Sequence, residues 1–158
     1  MSLDGFIGDA SKKRLILSNR EDLIRRDALR AKCDAILVGA GTVRKDNPKL
    51  VAKNGSKQPI KVTLTRNNKF IPKNNFLVYR PRGRARNVDL KFLLLDLTRR
   101  GVKKLLVEGG SDIGTQFLRQ GLTNELQVSI APFFVGEQKA PHFVGLGKFF
   151  NDKNKRMI

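Results

Sequence analysis

Residue types that build metal and disulfide sites are scarce in this sequence. Its 158 residues include one cysteine, Cys33, and one histidine, His142. A single cysteine excludes an internal disulfide and suits a reducing compartment. A single histidine excludes sites built from several histidines, and with only one cysteine a zinc cluster is excluded too. We therefore expect no metal in this protein.

Long hydrophobic runs are also absent from the sequence. No stretch approaches the roughly 20 apolar residues that a membrane-spanning helix needs. The opening residues, MSLDGFIG, lack the basic segment that begins a secretory signal peptide. We therefore expect a cytoplasmic protein that does not bind membranes.

Acidic residues are few, at 14 against 32 lysines and arginines, so the formal net charge is +18. An excess of this size is typical of proteins that bind nucleic acid. There is no tryptophan and only one tyrosine, however, whereas surfaces that bind single strands stack the bases on exposed aromatic rings. A basic nucleic-acid-binding module therefore remains the alternative, and nucleic acid is not the partner we expect.

The apolar content, 40% of residues, is ordinary for a soluble globular domain. Helix and strand patterns alternate along the chain. Helices are expected over residues 19–32, 89–100 and 111–120, and strands over residues 35–39, 60–65, 76–79, 104–108 and 125–131. This alternation predicts an α/β fold with helices on the faces of a sheet.

The first predicted helix has a clear start and a less regular apolar face. Asn19 suits the N-cap position, where its side chain can accept a backbone hydrogen bond. We expect the helix to face the core with its apolar residues, which are Leu23, Ile24, Ala28, Leu29 and Ala31.

Two glycine-rich turns follow predicted strands, where α/β sheets bind ligands. The turn GAGTVR, from Gly39, begins like a dinucleotide-binding fingerprint, but Arg44 replaces the third glycine, and a plain strand-to-helix turn is the alternative. The turn EGGSDIG, from Glu108, brings backbone N–H groups toward an anion at a helix start, or only caps that helix. Asp46, within the segment DNP, belongs to a turn or to the mouth of a site.

Taken in order, these segments resemble a known family. They include MSLDG at residues 1–5, LRA at 29–31, DAILVG at 34–39, DNPKL at 46–50, EGG at 108–110 and AP at 131–132. The pattern is similar to the pyrimidine reductase of riboflavin biosynthesis, the 5-amino-6-(5-phosphoribosylamino)uracil reductase family. The resemblance implies a dihydrofolate reductase-like α/β fold, in which a mostly parallel central sheet has helices on both faces.

The resemblance also implies an activity. The family transfers a hydride from NADPH to the ribosylamino group of a phosphoribosylaminopyrimidine. We therefore expect NADPH as the cofactor and a small phosphorylated pyrimidine as the substrate. A reductase of the same fold that acts on another heterocycle, such as a pterin, is the alternative within the enzyme class.

Site residues are implied in the same way. Asp46 is the candidate catalytic residue, which orients or protonates the reacting group. Cofactor contacts are expected at Ser18, Gly39, Gly41, Thr42, Asp46, Arg66, Gly109, Gly110, Ser111, Asp112, Ile113, Gly114 and Thr115. Substrate contacts are expected at Arg30, Leu50, Lys53 and Glu108.

Three of these residues have more specific expected roles. Glu108 is expected to hold the pyrimidine ring. Arg66 is expected to bind the 2′-phosphate of NADPH, because arginine matches the geometry of phosphate. Lys53 stands near the place where the family usually has an arginine for the substrate phosphate.

We expect one reductase domain over residues 1–158, which lacks terminal strands and an internal segment near residues 80–86 compared with the family. The family commonly forms dimers, so a homodimer is expected. Two apolar segments, residues 133–135 and the pair Phe149 and Phe150, are candidates for the dimer contact. Composition leaves open whether they form that contact or fill the monomer core.

Overall fold

The computed structural model of the chain describes residues 1–11, 15–53, 57–108, 110–145 and 149. It contains two compact units. The sheet unit consists of Ser18–Gly110, and the terminal unit combines Met1–Leu17 with Ser111–Ile158.

The sheet unit is built on four parallel strands. They are β1 (Ala35–Gly39), β2 (Ile60–Leu64), β3 (Leu77–Tyr79) and β4 (Leu105–Val107), in the spatial order β3-β2-β1-β4. Each neighbouring pair is parallel, with Leu37 of β1 opposite Val62 on one side and Val107 on the other. The α/β class and the mostly parallel sheet expected from the sequence are confirmed.

Three helices belong to the sheet unit: α1 (Arg20–Ala31), α2 (Ala40–Asp46) and α3 (Leu90–Arg99). Asn19 caps α1 by accepting the backbone N–H of Asp22, and Asp89 caps α3 by accepting that of Phe92. The sequence predicted both helices to within two residues. It assigned no helix range at α2, because seven residues that start at a Gly-Ala-Gly segment have little helical signal, but the strand-to-helix turn given as the alternative for this segment is what the structure shows.

The core of the sheet unit lies around β1. Four of its five residues are buried, as expected for a central strand without alternation. Ile36 and Val38 of β1 form a buried cluster with three further residues, Val43, Leu50 and Phe76, and the partly buried Phe70, Val78 and Leu106 pack against it. On α3, Leu90, Leu93 and Leu97 are buried at helical spacing.

The apolar face predicted for α1 is wrong. Leu23 is 41% exposed and Ile24 is 61% exposed, whereas the residue that α1 buries is Asp27. The physical reason is an ion-pair cluster on this side of the helix, where Asp27 meets Arg30 and Lys53. Charge pairing rather than apolar burial therefore selects the inward face of α1.

The terminal unit contains α4 (Ser111–Arg119), which ends before Gly121 at a positive φ of 64°. Ile113 and Phe117 are its buried apolar residues. In the same unit, the carboxylate of Asp4 accepts the backbone N–H groups of Val135 and Gly136. This contact ties the first residues of the chain to the loop that follows residue 132.

The strand predicted over residues 125–131 is wrong. In the described part of the chain, residues 125–130 are exposed and irregular, and Ala131 forms only an isolated bridge with Ser2. Hydrogen bonds link Met1 with Ser129, Ala131 with Met1 and Leu3 with Phe133, and this short contact at the first three residues leaves residues 125–128 without a described partner strand. Alternating apolar residues form a strand only beside a partner of matching length.

The aromatic segments expected at a dimer contact differ in their exposure. Phe134 is 73% exposed and Phe133 is 37% exposed, so neither fills the core. Phe149 is half-buried, and Phe150 lies outside the described residues. No helix of the described residues is long and apolar enough to cross a membrane.

Candidate active site

The carboxyl ends of the four strands lie along one edge of the sheet, because all neighbouring pairs are parallel. The chain runs from β1 to β2 on one side, whereas β4 lies on the other side of β1. Such a reversal of strand order marks the place where open α/β sheets bind ligands. Here that place is flanked by Gly39, at the end of β1, and by Glu108, which follows β4 and donates its backbone N–H to Leu37.

Glu108 is held by Arg30 of α1 through two hydrogen bonds. Nε of Arg30 donates to Oε1 over 2.7 Å, and a terminal nitrogen donates to Oε2 over 2.6 Å. The side chains are only 12% and 19% exposed. The hydrogen bonds to Glu108 are the largest cause that raises the pKa of Arg30. Two residues that the sequence assigned to substrate binding therefore bind each other.

A second carboxylate, that of Asp27, extends this pair. Its Oδ1 lies 3.9 Å from the remaining terminal nitrogen of Arg30, and its Oδ2 lies 3.4 Å from Nζ of Lys53. Arg26 donates to Oδ1 over 3.2 Å. Glu108, Arg30, Asp27 and Lys53 therefore form a row of alternating charge.

Asp27 was not among the residues that the sequence singled out. Its signal was present but weak: an acidic residue three positions before Arg30, on a helix whose apolar residues do not form one clean face. Lys53, at 70% side-chain exposure, is the open end of the row. The structure therefore brings together three of the four predicted substrate residues, Arg30, Lys53 and Glu108, around an unpredicted one.

Leu50, the fourth predicted substrate residue, is part of the core instead. Its side chain is 2% exposed and belongs to the cluster around β1. Its φ of 46° lies in the left-handed region, which is unusual for a leucine and costs about 1–3 kcal/mol. A ligand could reach the backbone of Leu50 but meets little of its side chain, so this contact stays a prediction.

Thr42 and Asp46 both lie on α2, directly after β1. They are four positions apart, so their side chains share one side of the helix. Thr42 is half-buried and Asp46 is exposed at the last residue of the helix. The helix ends there because Asn47 adopts a left-handed conformation, with φ 40°. A Cβ added at Gly41 would meet nothing within 4 Å, so the space beside this residue is open.

Arg66 follows β2 and lies at the same edge of the sheet. It is exposed, and its guanidinium donates to the side-chain oxygen of Asn87 over 2.7 Å. Asn87 was not predicted as a site residue. Ser18, the first residue of the sheet unit, is exposed.

A cavity of about 510 Å³ lies beside β3 and the start of α3. Asn87, Arg80 and Arg82 belong to its lining, and the guanidinium of Arg82 lies 3.6 Å from the centre of the Phe92 ring. On another wall the hydroxyl of Tyr79 donates to Asp96 over 2.5 Å. The lining of the cavity therefore combines basic, aromatic and acidic side chains.

The predicted cofactor residues that follow β4 divide between the two units. Gly110 belongs to the sheet unit, and Gly109 lies outside the described residues. Ser111, Asp112, Ile113, Gly114 and Thr115 form the first half of α4 in the terminal unit.

Two of these α4 residues have their side chains engaged within the terminal unit. The hydroxyl of Thr115 donates to the carbonyl of Ser111 over 2.6 Å and accepts the backbone N–H of Gly145 over 2.7 Å. Ile113 is buried. The side chains of Thr115 and Ile113 therefore stabilise the unit, and their cofactor contacts stay predictions.

Among the described residues, no three or more His, Cys, Asp or Glu side chains lie together in a group that could hold a metal ion. The ring of His142 lies 4.0 Å from that of Phe6, centre to centre. Cys33 is half-buried after α1.

Comparison with known proteins gives a consistent match. The family model described as the RibD C-terminal domain matches residues 1–157. A 2,5-diamino-6-ribosylamino-4(3H)-pyrimidinone 5′-phosphate reductase from Archaeoglobus fulgidus is 31% identical, over 89% of this chain and 80% of that protein. A protein of the same name from Aquifex aeolicus is 30% identical, over 98% of this chain and 83% of that protein.

Solved structures agree on the fold. RibD of Acinetobacter baumannii superposes with a TM-score of 0.79 at 23% identity, covering 98% of this chain and 49% of that chain. The riboflavin biosynthesis reductase Rib7 of Saccharomyces cerevisiae superposes with a TM-score of 0.69 at 22% identity, covering 90% of this chain and 74% of that one. The chain thus spans about half of the solved RibD protein and adopts the dihydrofolate reductase-like fold of these reductases.

Proposed function

The chain belongs to the RibD C-terminal domain family, and on that premise we propose that it reduces a phosphoribosylaminopyrimidine with NADPH. The reaction converts the ribosylamino group into a ribitylamino group. The observation that carries this proposal is the Arg30–Glu108 ion pair beside the turn after β1, at the place where strand order reverses. This arrangement puts a fixed carboxylate where α/β folds bind ligands.

Glu108 is suited to hold the pyrimidine while it stays paired with Arg30. An ionised carboxylate offers about four acceptor positions. Arg30 occupies two of them, so the others remain for the amino and ring N–H groups of a pyrimidine. The ion pair fixes the orientation of the carboxylate before the substrate arrives, which reduces the ordering cost of binding.

Lys53 is suited to the phosphate end of the substrate. Its ammonium group is largely exposed, and it lies at the far end of the charge row from Glu108. A lysine binds phosphate as a point charge rather than through the two-pronged geometry of arginine.

The sheet unit also has residues that fit NADPH. Thr42 offers a hydroxyl after β1, Gly41 leaves the backbone open, and Arg66 offers a cation after β2. When bound, the nicotinamide supplies the hydride, and the protein positions the acceptor and excludes water. Arg66 is proposed to bind the 2′-phosphate and so to favour NADPH over NADH.

Asp46 is proposed to orient or protonate the reacting group. The acceptor is the ring-opened imine form of the ribosylamine, whose C1′ takes the hydride while its nitrogen gains a proton. The carboxyl group of Asp46 stands four residues from Thr42 on α2 and is open to the solvent. A carboxyl group at this position can deliver or orient that proton.

We further propose a homodimer in the cytoplasm. The exposed rings of Phe133 and Phe134 support self-association, because exposed aromatic rings in the same segment often mark contact sites. The single cysteine supports a reducing compartment.

The test is NADPH oxidation with three acceptors supplied separately. They are 2,5-diamino-6-ribosylamino-4(3H)-pyrimidinone 5′-phosphate, 5-amino-6-(5-phosphoribosylamino)uracil and a dihydropterin. We expect turnover with at least one of the two phosphoribosylaminopyrimidines and none with the dihydropterin. Turnover with the dihydropterin alone would replace this proposal by the pterin reductase alternative. Salt-sensitive DNA binding without affinity for NADPH would replace it by the nucleic-acid-binding alternative.

A further inference from the structure

We propose that Asp27 is a positioning residue that holds Arg30 and Lys53 in place for the two ends of the substrate. This inference rests on the proposed function and extends it to a residue that touches neither the pyrimidine nor the phosphate. Asp27 acts through its ion pairs with the two cations, one of which holds Glu108.

The burial of Asp27 is the first reason for this assignment. It is 9% exposed, and it is the buried residue of α1, whose apolar side chains Leu23 and Ile24 lie in solvent. A buried carboxylate is costly unless charged partners and hydrogen bonds compensate for the lost water. Helix α1 therefore buries the carboxylate of Asp27, although it has apolar side chains that could have been buried at lower cost.

The contacts of Asp27 are the second reason. Arg30 uses Nε and one terminal nitrogen on Glu108, and its other terminal nitrogen faces Asp27 at 3.9 Å. The guanidinium plane is thus held from two sides, which fixes its rotation about the side-chain axis. A guanidinium fixed in this way also fixes the carboxylate of Glu108.

Lys53 gains an anchor from the same carboxylate. Its side chain is long and 70% exposed, and its Nζ lies 3.4 Å from Oδ2 of Asp27. Without that contact the ammonium group would sample many rotamers, and binding a phosphate would have to order it. Asp27 places the ammonium before the phosphate arrives.

The ionisation of Asp27 agrees with this role. Burial alone would raise its pKa, but hydrogen bonds from Arg26 and Lys53 and the charges of both residues hold the pKa below the ordinary value. The carboxylate is therefore charged throughout the neutral range, where the row of alternating charges is complete.

Two effects of Asp27 on phosphate binding have opposite signs, which makes the role testable. A negative charge near Lys53 repels a phosphate, so removing it would tighten binding if charge alone mattered. If the placement of Lys53 and Arg30 by Asp27 matters more, removing the charge releases both side chains, and phosphate binding weakens.

The experiment compares wild-type protein with Asp27→Asn, which keeps the shape of the side chain and removes its charge. We expect the KM for the phosphoribosylaminopyrimidine to rise about tenfold, with kcat and the KM for NADPH changed less than about twofold. Asp27→Glu should recover part of the loss. Glu21→Gln, which removes one negative charge from an exposed position of α1, is the matched control and should change neither constant.

A lower KM in Asp27→Asn would show that charge alone matters and would overturn the proposal. A lower melting temperature with an unchanged KM would show a structural role only, and would overturn it too. If Asp27→Asn does not fold, Asp27→Glu carries the test, because a longer side chain shifts the anchor of Lys53 and should raise the KM. In a Lys53→Met background the effect of Asp27→Asn on the KM should shrink, because the ammonium group that Asp27 holds for the phosphate is no longer present.

A binding measurement separates this proposal from the proposed function. Calorimetry with ribose 5-phosphate should show about tenfold weaker binding to Asp27→Asn than to wild type, whether or not the wild type turns over. Wild-type binding without turnover would overturn the proposed function and keep the role of Asp27. Equal binding to the two proteins would overturn the role of Asp27 and leave the function in place.

Discussion

Arg30 and Glu108 are 78 residues apart in the chain and form a two-pronged ion pair, with hydrogen bonds of 2.7 and 2.6 Å. The pair joins α1 to the end of β4, beside the turn that follows β1. Each of the two residues was expected to touch the substrate, and the structure shows that they first hold each other. Arg30 therefore orients the carboxylate of Glu108, and we propose that the pyrimidine meets this carboxylate already oriented.

Replacing Glu108 with glutamine should weaken both stability and activity. The amide removes the closer of the two charged partners of Arg30 and leaves only the carboxylate of Asp27, at 3.9 Å, so we expect the free energy of unfolding to fall by about 1–3 kcal/mol. We expect kcat/KM for the pyrimidine to fall at least about tenfold. Glu125→Gln, at an exposed position, is the control for steady-state kinetics and thermal unfolding. An unchanged kcat/KM in Glu108→Gln would remove Glu108 from the substrate site.

Replacing Asp46 with asparagine should reduce turnover. If Asp46 delivers or orients the proton, we expect kcat to fall about a hundredfold while the melting temperature stays the same, because the side chain is exposed. Asp22→Asn, at the start of α1, is the matched control. Unchanged turnover of Asp46→Asn with the preferred substrate would remove Asp46 from the mechanism.

Arg66 should discriminate between the two nicotinamide cofactors. In Arg66→Gln the KM for NADPH should rise about tenfold while the KM for NADH stays the same, since only NADPH carries the 2′-phosphate. Asn87→Ala, which removes the partner 2.7 Å away, should have a smaller effect in the same direction. Arg99→Gln on α3 is the control. Equal changes for NADPH and NADH would show that Arg66 does not recognise the 2′-phosphate.

Tyr79 gives a pH prediction that does not depend on substrate. Burial, and then its hydrogen bond to Asp96, raises the pKa of Tyr79 from 10.0 to about 12. The folded state thus favours the neutral phenol, and this stabilisation is complete below pH 10 and lost as the pH rises through about 12.

Because the chain has one tyrosine and no tryptophan, ultraviolet absorbance reports the tyrosinate of Tyr79 alone. We expect a midpoint near pH 12 in the folded protein and near pH 10 in urea. Asp96→Asn should lower the folded midpoint. A folded midpoint near pH 10 would contradict the contact between Tyr79 and Asp96.

The helices and strands were predictable from the sequence where their patterns involve only residues close together in the chain. Asn19 and Asp89 mark helix starts through their side-chain oxygens, and the apolar run of β1 marks a central strand. Both features, the helix caps and the apolar run, depend only on residues that are close together in the chain, so they can be recognised in the sequence. The family resemblance then supplied the identities of Arg30, Lys53 and Glu108.

The errors come from contacts between distant residues. Asp27 is buried beside Lys53, which lies 26 positions further along the chain, and no periodicity of α1 shows that contact. The segment 125–131 has the alternation of a strand but lacks a full-length partner in the described part of the chain. Pairings of this kind become visible only in three dimensions.

The predicted gap near residues 80–86 stays a prediction, and the alignments are compatible with it. The match to the Aquifex aeolicus reductase runs over 186 positions, more than the 158 residues of this chain. That relative therefore carries residues that this chain lacks within the matched region. We propose that some of them fall between β3 and α3, where Arg80 and Arg82 line the cavity.

The net charge of +18 is explained only in part. Arg30, Lys53 and Arg66 have proposed roles among 32 basic residues. A positive surface would favour the approach of two phosphate-bearing ligands. This attraction acts on the phosphate groups and needs no contact with specific bases. The affinity of the protein for both ligands should therefore fall as salt screens the charges.

Hydride transfer itself is tested most directly with NADPH that carries deuterium at both hydrogens of nicotinamide C4. The protein is incubated with this cofactor and the preferred phosphoribosylaminopyrimidine, and the product is analysed by mass spectrometry and NMR. We predict one deuterium per product molecule, located at C1′ of the ribityl chain. A ribityl product without deuterium at C1′, or oxidation of NADPH without a ribityl product, would contradict the proposed reductase.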